Sequence, residues 1–373
     1  MTRIIRARVD AAALRHNLRQ VRAAAPGARV MAVVKANAYG HGLVPTALAL
    51  SEADSFAVAR LEEGLVLRSA GISQPVVLLE GVFSAEQLSE AAQHRFELVV
   101  HDPLQLSLLE GYAGAHRFTL WLKIDTGMNR LGFRPEDFAR AYERLRTLAV
   151  PALDIRLLTH LARADELDCE MTREQVARFR ALLPQHVPTF GRRREDAIAQ
   201  KGFVTSIGNS AGTLGWEEAR GDWVRPGLAL YGVSPFPGRV GADLKLKPAM
   251  TLETTVIATR RVPRGETVGY GGAWRAARDT TIAILAAGYG DGLPRHLASG
   301  APVSIGGRLA PLAGRVSMDM IAVDVTELDG VTVGASAQVW GPAMPVERVA
   351  EHAGTIPYEL ICGVSQRVPL ELS

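Results

Sequence analysis

Residues 30–35 read VMAVVK, an apolar run that does not alternate and that ends on a charge, Lys35. A strand with no polar face is covered on both sides, as in a parallel sheet flanked by helices. The same texture returns at 55–60 (SFAVAR), 76–80 (VVLLE), 96–101 (FELVVH), 118–125 (FTLWLKID), 154–161 (DIRLLTHL), 203–207 (FVTSI) and 228–232 (LALYG), eight runs in all. Helical signals lie between them. Asp10 reads as an N-cap ahead of Leu14, Leu18 and Val21 on one face, SAEQ from Ser84 has the form of a capping box, and PEDF puts Pro135 in a first turn. Eight strand–helix units predict an α/β fold, an N-terminal (β/α)8 barrel whose active site lies at the C-terminal ends of its strands. Lys35, Arg60, Glu80, His101, Asp125 and His160 fall at those ends, some to do chemistry and some to orient loops.

After Tyr231 the texture changes. GVSPFPGRVGADLKLKPAM is rich in proline and glycine, and beyond it short strands follow one another without long helices: LETTVIATRRV, TTIAILAAG, PVSIGG, MIAVDV and AQVWG. This predicts a C-terminal β-rich domain. The expected division is a barrel over 9–233 and a β domain over 234–373, with residues 1–8 free to pair with the latter; 373 residues suffice for two such units.

Composition excludes several classes. Hydrophobic content of 47% with 22% charged residues is that of a globular enzyme, not a disordered or fibrous chain. A net charge of +3 is only mildly basic, and the cluster Arg192, Arg193, Arg194 is followed at once by Glu195 and Asp196, which reads as a solvated loop rather than a nucleic-acid surface. The two cysteines, Cys169 and Cys362, have no metal-ligand spacing, and no metal site is expected. The opening MTRIIRARVD lacks the apolar core of a signal peptide, and no later run is long and charge-free enough to span a membrane. A cytoplasmic protein without nucleic-acid or membrane partners is expected.

Lys35 is the residue with the most chemistry in it. Desolvation at the end of a buried strand favours the neutral, nucleophilic amine, which is what an aldehyde cofactor needs. The small residues of KANAYGHG leave room for a ligand, and Tyr39 and His41 offer polar contacts beside it.

Seven further motifs accompany this one: LKIDTGMNRLGF from Leu122, THLARADE from Thr159, GNSAG from Gly208, VRPGLALYGVSP from Val224, VGYGG from Val268, AAGYGDGLPR from Ala286 and GRVSMDM from Gly314. Together and in this order, along nearly the whole chain, they resemble the alanine racemases. That resemblance implies a pyridoxal 5′-phosphate enzyme that interconverts L- and D-alanine, supplying D-alanine for cell wall or serving catabolism, and a homodimer with sites shared between subunits. It implies that Lys35 holds the cofactor as an aldimine and serves as the base for D-alanine, with Tyr270 the base for L-alanine. Two bases on opposite faces allow proton removal and delivery without turning the substrate. A phenol titrates near ~10 and needs help to act as a base; His160 matches the family histidine that bonds both to this tyrosine and to an arginine below the cofactor, here Arg225. A guanidinium only donates, so Arg225 would leave the pyridine nitrogen unprotonated. The phosphate would be held by Tyr39, Ser210 and the amides of Gly227 and Leu228. Arg130 matches the arginine near the cofactor's phenolic oxygen and the substrate carboxylate, and Lys123 matches a lysine often carbamylated to orient it. Met318 would give its amide to that carboxylate, with Asp319 and Tyr289 lining the entry from the partner subunit.

The chain departs from the pattern near its C-terminus, where some family members have a tyrosine that contacts phosphate and this one has Gln366 in SQRVP. That bears on cofactor retention and on strictness for alanine. Two other readings are open: a barrel-only pyridoxal-phosphate carrier, which gives no reason for Tyr270, Met318 or a whole β domain, and a broader racemase or a lyase on the same architecture.

Overall fold

The structure, a computed structural model, describes residues 4–150, 152–183 and 202–373. The basic cluster at Arg192–Arg194 lies outside the described residues. Strand β1 (Arg6–Val9) precedes helix α1 (Ala11–Ala24), and then come the barrel strands: β2 (Arg29–Val33), β3 (Ser55–Val58), β4 (Val76–Leu78), β5 (Glu97–Val100), β6 (Thr119–Lys123), β7 (Asp154–Leu158), β8 (Thr205–Ser206) and β9 (Trp223–Val224). Each is parallel to the next, and β9 closes on β2 through Arg29 opposite Trp223 and Val30 opposite Val224. This is the parallel eight-stranded barrel expected from the unalternating runs.

One strand differs from expectation. Leu228–Tyr231 is a buried 3-10 turn, and the eighth barrel strand is Trp223–Val224 before it. Pro226 has no amide for a ladder, so the strand stops there. The run LALY is apolar all round because the turn is buried, and apolarity by itself cannot tell a covered strand from a buried turn. The helix starts follow their sequence signals more closely. Asp10 accepts the amides of Ala12 and Ala13 at 2.7 and 2.9 Å, and Leu14, Leu18 and Val21 are buried. Ser84 accepts the amide of Gln87 at 3.2 Å, while the Gln87 side chain reaches back to Phe83.

The N-terminal end of the barrel is plugged by large side chains from the consecutive strands β5, β6 and β7 and from β9 across the barrel. Trp121 and Trp223 meet edge to face at 6.0 Å, Arg156 lies over both rings, and Glu97 accepts from Trp121 Nε1 at 2.7 Å. With that end filled, the open end is the one where β2, β6, β7 and β9 deliver their C-termini.

The second domain is a mixed sheet. Strands β10 (Met250–Val262), β14 (Pro302–Ile305), β15 (Arg308–Pro311), β17 (Ser336–Trp340) and β18 (Leu370–Leu372) follow the order β15-β14-β17-β10-β1-β18, β13 (Thr280–Leu285) and β16 (Ile321–Asp324) extend from β10, and β11 (Thr267–Val268) and β12 (Trp274–Arg275) pair as a separate hairpin. β1 is antiparallel to β10 and parallel to β18, so the opening residues belong to this sheet. Two short helices, Val346–Ala353 and Pro357–Cys362, fold back toward the barrel mouth. Among the described residues, no helix is long and apolar enough to cross a membrane.

Candidate active site

The barrel mouth begins at Lys35. β2 ends at Val33, Val34 continues the ladder by donating to Ala57 O at 2.9 Å, and Lys35 then opens a left-handed turn in which Ala36, Asn37, Ala38 and Tyr39 all have φ between 52° and 54°. Such residues are costly for L-amino acids and persist only where neighbours hold them. Here the Ala36 amide donates to Glu63 Oε1 at 2.6 Å, the Asn37 side chain accepts the Leu43 amide at 2.8 Å, and Gly40 closes the turn against the carbonyl of Ile361 in the second domain. A Cβ at Gly40 would lie 2.1 Å from that carbonyl oxygen.

The turn sends Tyr39 inward. Its ring stacks on Tyr231 at 4.8 Å and leans on Tyr358 at 5.7 Å, and its hydroxyl reaches Gly227, where a Cβ would come within 2.4 Å of it. Burial, with Tyr358 and Cys362 adding to it, pushes this phenol well above its ordinary value, so it is a neutral donor. Ser210 is buried close by and accepts the amides of Gly227 at 2.9 Å and Ala229 at 3.2 Å, while Leu228 opens the buried turn. Two hydroxyls and a close-approach glycine thus meet where β2, β8 and β9 end, a donor set suited to a phosphate. His41, expected beside the ligand, is buried with its ring 4.5 Å from that of Tyr231. Its Nδ1 lies against the carbonyls of Ala38 and Tyr39, and burial lowers it to about 4.

On the facing side Arg225 is buried and spends its guanidinium on Ser206 Oγ at 2.7 Å, Thr159 O at 2.6 Å and Ile207 O at 3.2 Å, with His160 Nδ1 at 3.4 Å. The described residues give its Nε–H and the second hydrogen of its Nη1 no acceptor, and the Nε–H is a donor available to a ligand atom. Burial lowers Arg225 to about 10, still protonated near neutrality. His160 is held well below its ordinary value, by burial first and then by Arg225, Lys123, Arg130 and Lys35. Those four cations therefore share one neighbourhood. Lys123 is buried and lowered to about 8 by the same desolvation and by Arg225 and Arg130. So concentrated a positive field fits an anionic cofactor and a carboxylate substrate.

Arg130 is exposed at the mouth, in a loop drawn around Asp125. The Asp125 carboxylate accepts the amides of Gly127, Asn129 and Arg130 at 2.9 to 3.1 Å. Burial raises this carboxyl, but those amides and Arg134 outweigh it and leave it below its usual value. A cavity of about 240 Å³ opens here between His101, Asp125 and Arg130. A separate cleft of about 670 Å³ lies at the N-terminal ends of β4 to β6 and contains none of these residues.

The remaining candidates sit elsewhere. Tyr270 is 67% exposed at the tip of a hairpin between Thr267–Val268 and Trp274–Arg275, Met318 is 52% exposed, and Tyr289 is also exposed. Asp319 accepts from Arg367, which also binds Asp291. All belong to the second domain, and among the described residues none is given a hydrogen bond to Lys35, Arg225 or His160. Gln366 is exposed on the segment that Ser365 pins to Gly290 O. Three residues at the mouth were not anticipated: Glu63, Tyr358, and Gln175, whose amide brackets the His160 backbone through His160 O and Ala162 N.

Comparison with known proteins agrees with this arrangement. The family model for the alanine racemase N-terminal domain matches residues 9–235, and that for the C-terminal domain matches residues 249–372. The chain is 48% identical to the alanine racemase of Nitrosococcus oceani over 361 residues and 47% identical to that of Shewanella sediminis over 363, covering 97% of each chain in both cases. The biosynthetic alanine racemase of Pseudomonas aeruginosa superposes with a TM-score of 0.91 at 40% identity, and the alanine racemase of Acinetobacter baumannii with 0.90 at 38%, each covering all of both chains. With both family models falling in order on the barrel and on the sheet, and a lysine, an arginine and a histidine converging at the barrel mouth, the chain belongs to the alanine racemase family.

Proposed function

We propose that this chain interconverts L- and D-alanine, using pyridoxal 5′-phosphate bound at the barrel mouth. The observation that carries the reading is the junction of Lys35, Arg225 and His160 with the Tyr39, Ser210 and Gly227 pocket at one end of one barrel. Family identity implies the cofactor, and the cationic field, the neutral donors and the spare Nε–H of Arg225 are chemically suited to it. Held on the Lys35 amine and passed from it to the amine of the substrate, pyridoxal phosphate would withdraw electrons from the substrate Cα–H bond and make that proton removable, and the exchange would leave the lysine amine free. The residues do the rest. Tyr39, Ser210 and the amides of Gly227 and Leu228 hold the phosphate, and Arg225 donates to the ring nitrogen without giving up its proton. Arg130 and the Met318 amide fix the substrate carboxylate. The Lys35 amine takes the D-alanine proton on one face, and Tyr270 of the partner subunit takes the L-alanine proton on the other, with the neutral His160 as its hydrogen-bond partner.

The exposure of Tyr270, Met318 and Tyr289 on the second domain supports a homodimer with shared sites, in which Asp319 and Tyr289 line the entry. The neutral fraction of Lys123 supports carbamylation, since only an unprotonated amine adds carbon dioxide. We assign residues 9–233 to the cofactor-binding barrel and 234–373 to the β domain, and the free thiols Cys169 and Cys362 support a cytoplasmic setting. The test is to incubate the enzyme with L-alanine or D-alanine alone and follow both enantiomers by chiral chromatography, with a panel of other amino acids alongside. Each alanine enantiomer should drift to an equal mixture, and faster than any other amino acid. Failure to form the opposite enantiomer of alanine overturns the reading.

A further inference from the structure

The turn that presents Lys35 is tied from outside by one carboxylate. Glu63 sits in the first turn of helix Leu61–Ser69, and its Oε2 accepts the amides of Ala59 and Arg60 at 2.8 and 3.2 Å, which is how a third-position glutamate ordinarily closes a helix start. Its other oxygen does something a helix start does not need. Oε1 crosses to the neighbouring strand–helix unit and accepts the amide of Ala36, 27 residues earlier, at 2.6 Å. That amide belongs to the peptide bond leaving Lys35, and it is the first of the left-handed turn. The turn's other bonds are local: Ala38 N to Val34 O, Gly40 N to Ala36 O, His41 N to Ala38 O, Gly42 N to Asn37 O, and Leu43 N to the Asn37 side chain. Among the described residues, Glu63 alone supplies a side-chain acceptor to this turn from another unit.

We propose that Glu63 is a positioning residue for Lys35, locking the peptide that follows the lysine to the exit of β3 so that the amine is held at the distance and angle the reaction requires. This deepens the assignment of Lys35 made above and rests on it. A carboxylate is suited to the task because it offers two acceptor oxygens at once, one for each unit. Glutamine has one carbonyl oxygen and an amide that can only donate, so Glu63→Gln can keep the helix start or the lysine turn but not both. Aspartate is shorter by one methylene and cannot span the two.

The test uses the full-length protein stripped of cofactor, mixed with pyridoxal 5′-phosphate and quenched with borohydride at timed intervals, with label on the Lys35 peptide measured by mass spectrometry. Wild type, Glu63→Gln, Glu63→Asp and Glu63→Ala are compared, and racemisation is measured in parallel. Glu63→Gln should melt within a few degrees of wild type yet label Lys35 about 10- to 100-fold more slowly, the scale of a misplacement near 1 Å. Its kcat should fall by a similar factor while KM for alanine stays within about threefold. Wild-type labelling rates and kcat in folded Glu63→Gln and Glu63→Asp would overturn the proposal and leave Glu63 a helix cap. Should the variants not fold, hydrogen exchange in the wild type decides: the Ala36 amide should be protected at least as well as those of Ala59 and Arg60, and faster exchange at Ala36 contradicts the tie. Label away from Lys35 in the wild type overturns the anchor assignment itself, and this proposal with it, whereas correct labelling without alanine turnover removes only the substrate reading.

Discussion

Lys123 shows what the site costs at the scale of one residue. It is buried, and desolvation followed by the repulsion of Arg225 and Arg130 brings it from 10.5 to about 8, with Asp125 opposing the shift. The folded value is the lower one. Between pH 8 and 10.5 the unfolded chain therefore still binds a proton that the folded chain has released, and stability rises with pH across that window. Below it both states are protonated and the full penalty applies. In carbon-dioxide-free buffer, the extra stability of Lys123→Met over wild type should be greatest below pH 8 and shrink toward pH 10.5, by on the order of 3 kcal/mol at 1.36 kcal/mol per unit. Urea denaturation of the cofactor-free proteins checks this, and a difference that stays flat with pH would contradict it. Residue types such as Lys35, Tyr39, Arg130 and Arg225 are legible in sequence because their chemistry is carried by the side chain itself. Glu63 and Gln175 are not. They act on backbone amides and carbonyls of other units, and in the sequence they read as ordinary polar residues of helices.

At the scale of elements, the left-handed turn is the one that KANAY only faintly announces. Asn37 and the glycines hint at unusual backbone, but two alanines and a tyrosine at positive φ do not. The strain is specific and measurable. Ala36 is exposed, as is Ala177 in the ordinary right-handed helix Glu170–Arg180. Ala36→Val should cost about 1–2 kcal/mol more than Ala177→Val, because a β-branched residue is poorly tolerated in the left-handed region while its cost in a helix is at most ~0.7 kcal/mol. Equal losses by urea denaturation would show that the turn relaxes. The barrel strands are legible because burial on both faces erases alternation, and the same erasure misassigned Leu228–Tyr231, which is buried without being a strand. The helices Val346–Ala353 and Pro357–Cys362 escaped because they are short and set among strands, yet the second brings Tyr358 onto Tyr39.

At the scale of the molecule, the residues proposed for the chemistry fall in two places on the chain. Lys35, Arg225, His160 and the Tyr39, Ser210 and Gly227 cluster meet at the barrel mouth, while Tyr270, Met318 and Tyr289 stand exposed on the sheet domain. An isologous dimer that brings the tip of one sheet domain to the mouth of the other barrel would complete two identical sites. The symmetry makes this testable with two damaged chains. A Lys35→Ala chain paired with a Tyr270→Ala chain forms one site carrying both lesions and one carrying neither, whereas each parental homodimer has a lesion in both sites. Random reassociation gives half heterodimers, so about a quarter of wild-type racemisation should return on mixing. The decisive measurement is alanine racemisation after subunit exchange, with heterodimers verified by native mass spectrometry. Recovery near a quarter of wild type is expected if Lys35 of one subunit works with Tyr270 of the other, and continued inactivity of verified heterodimers would contradict it.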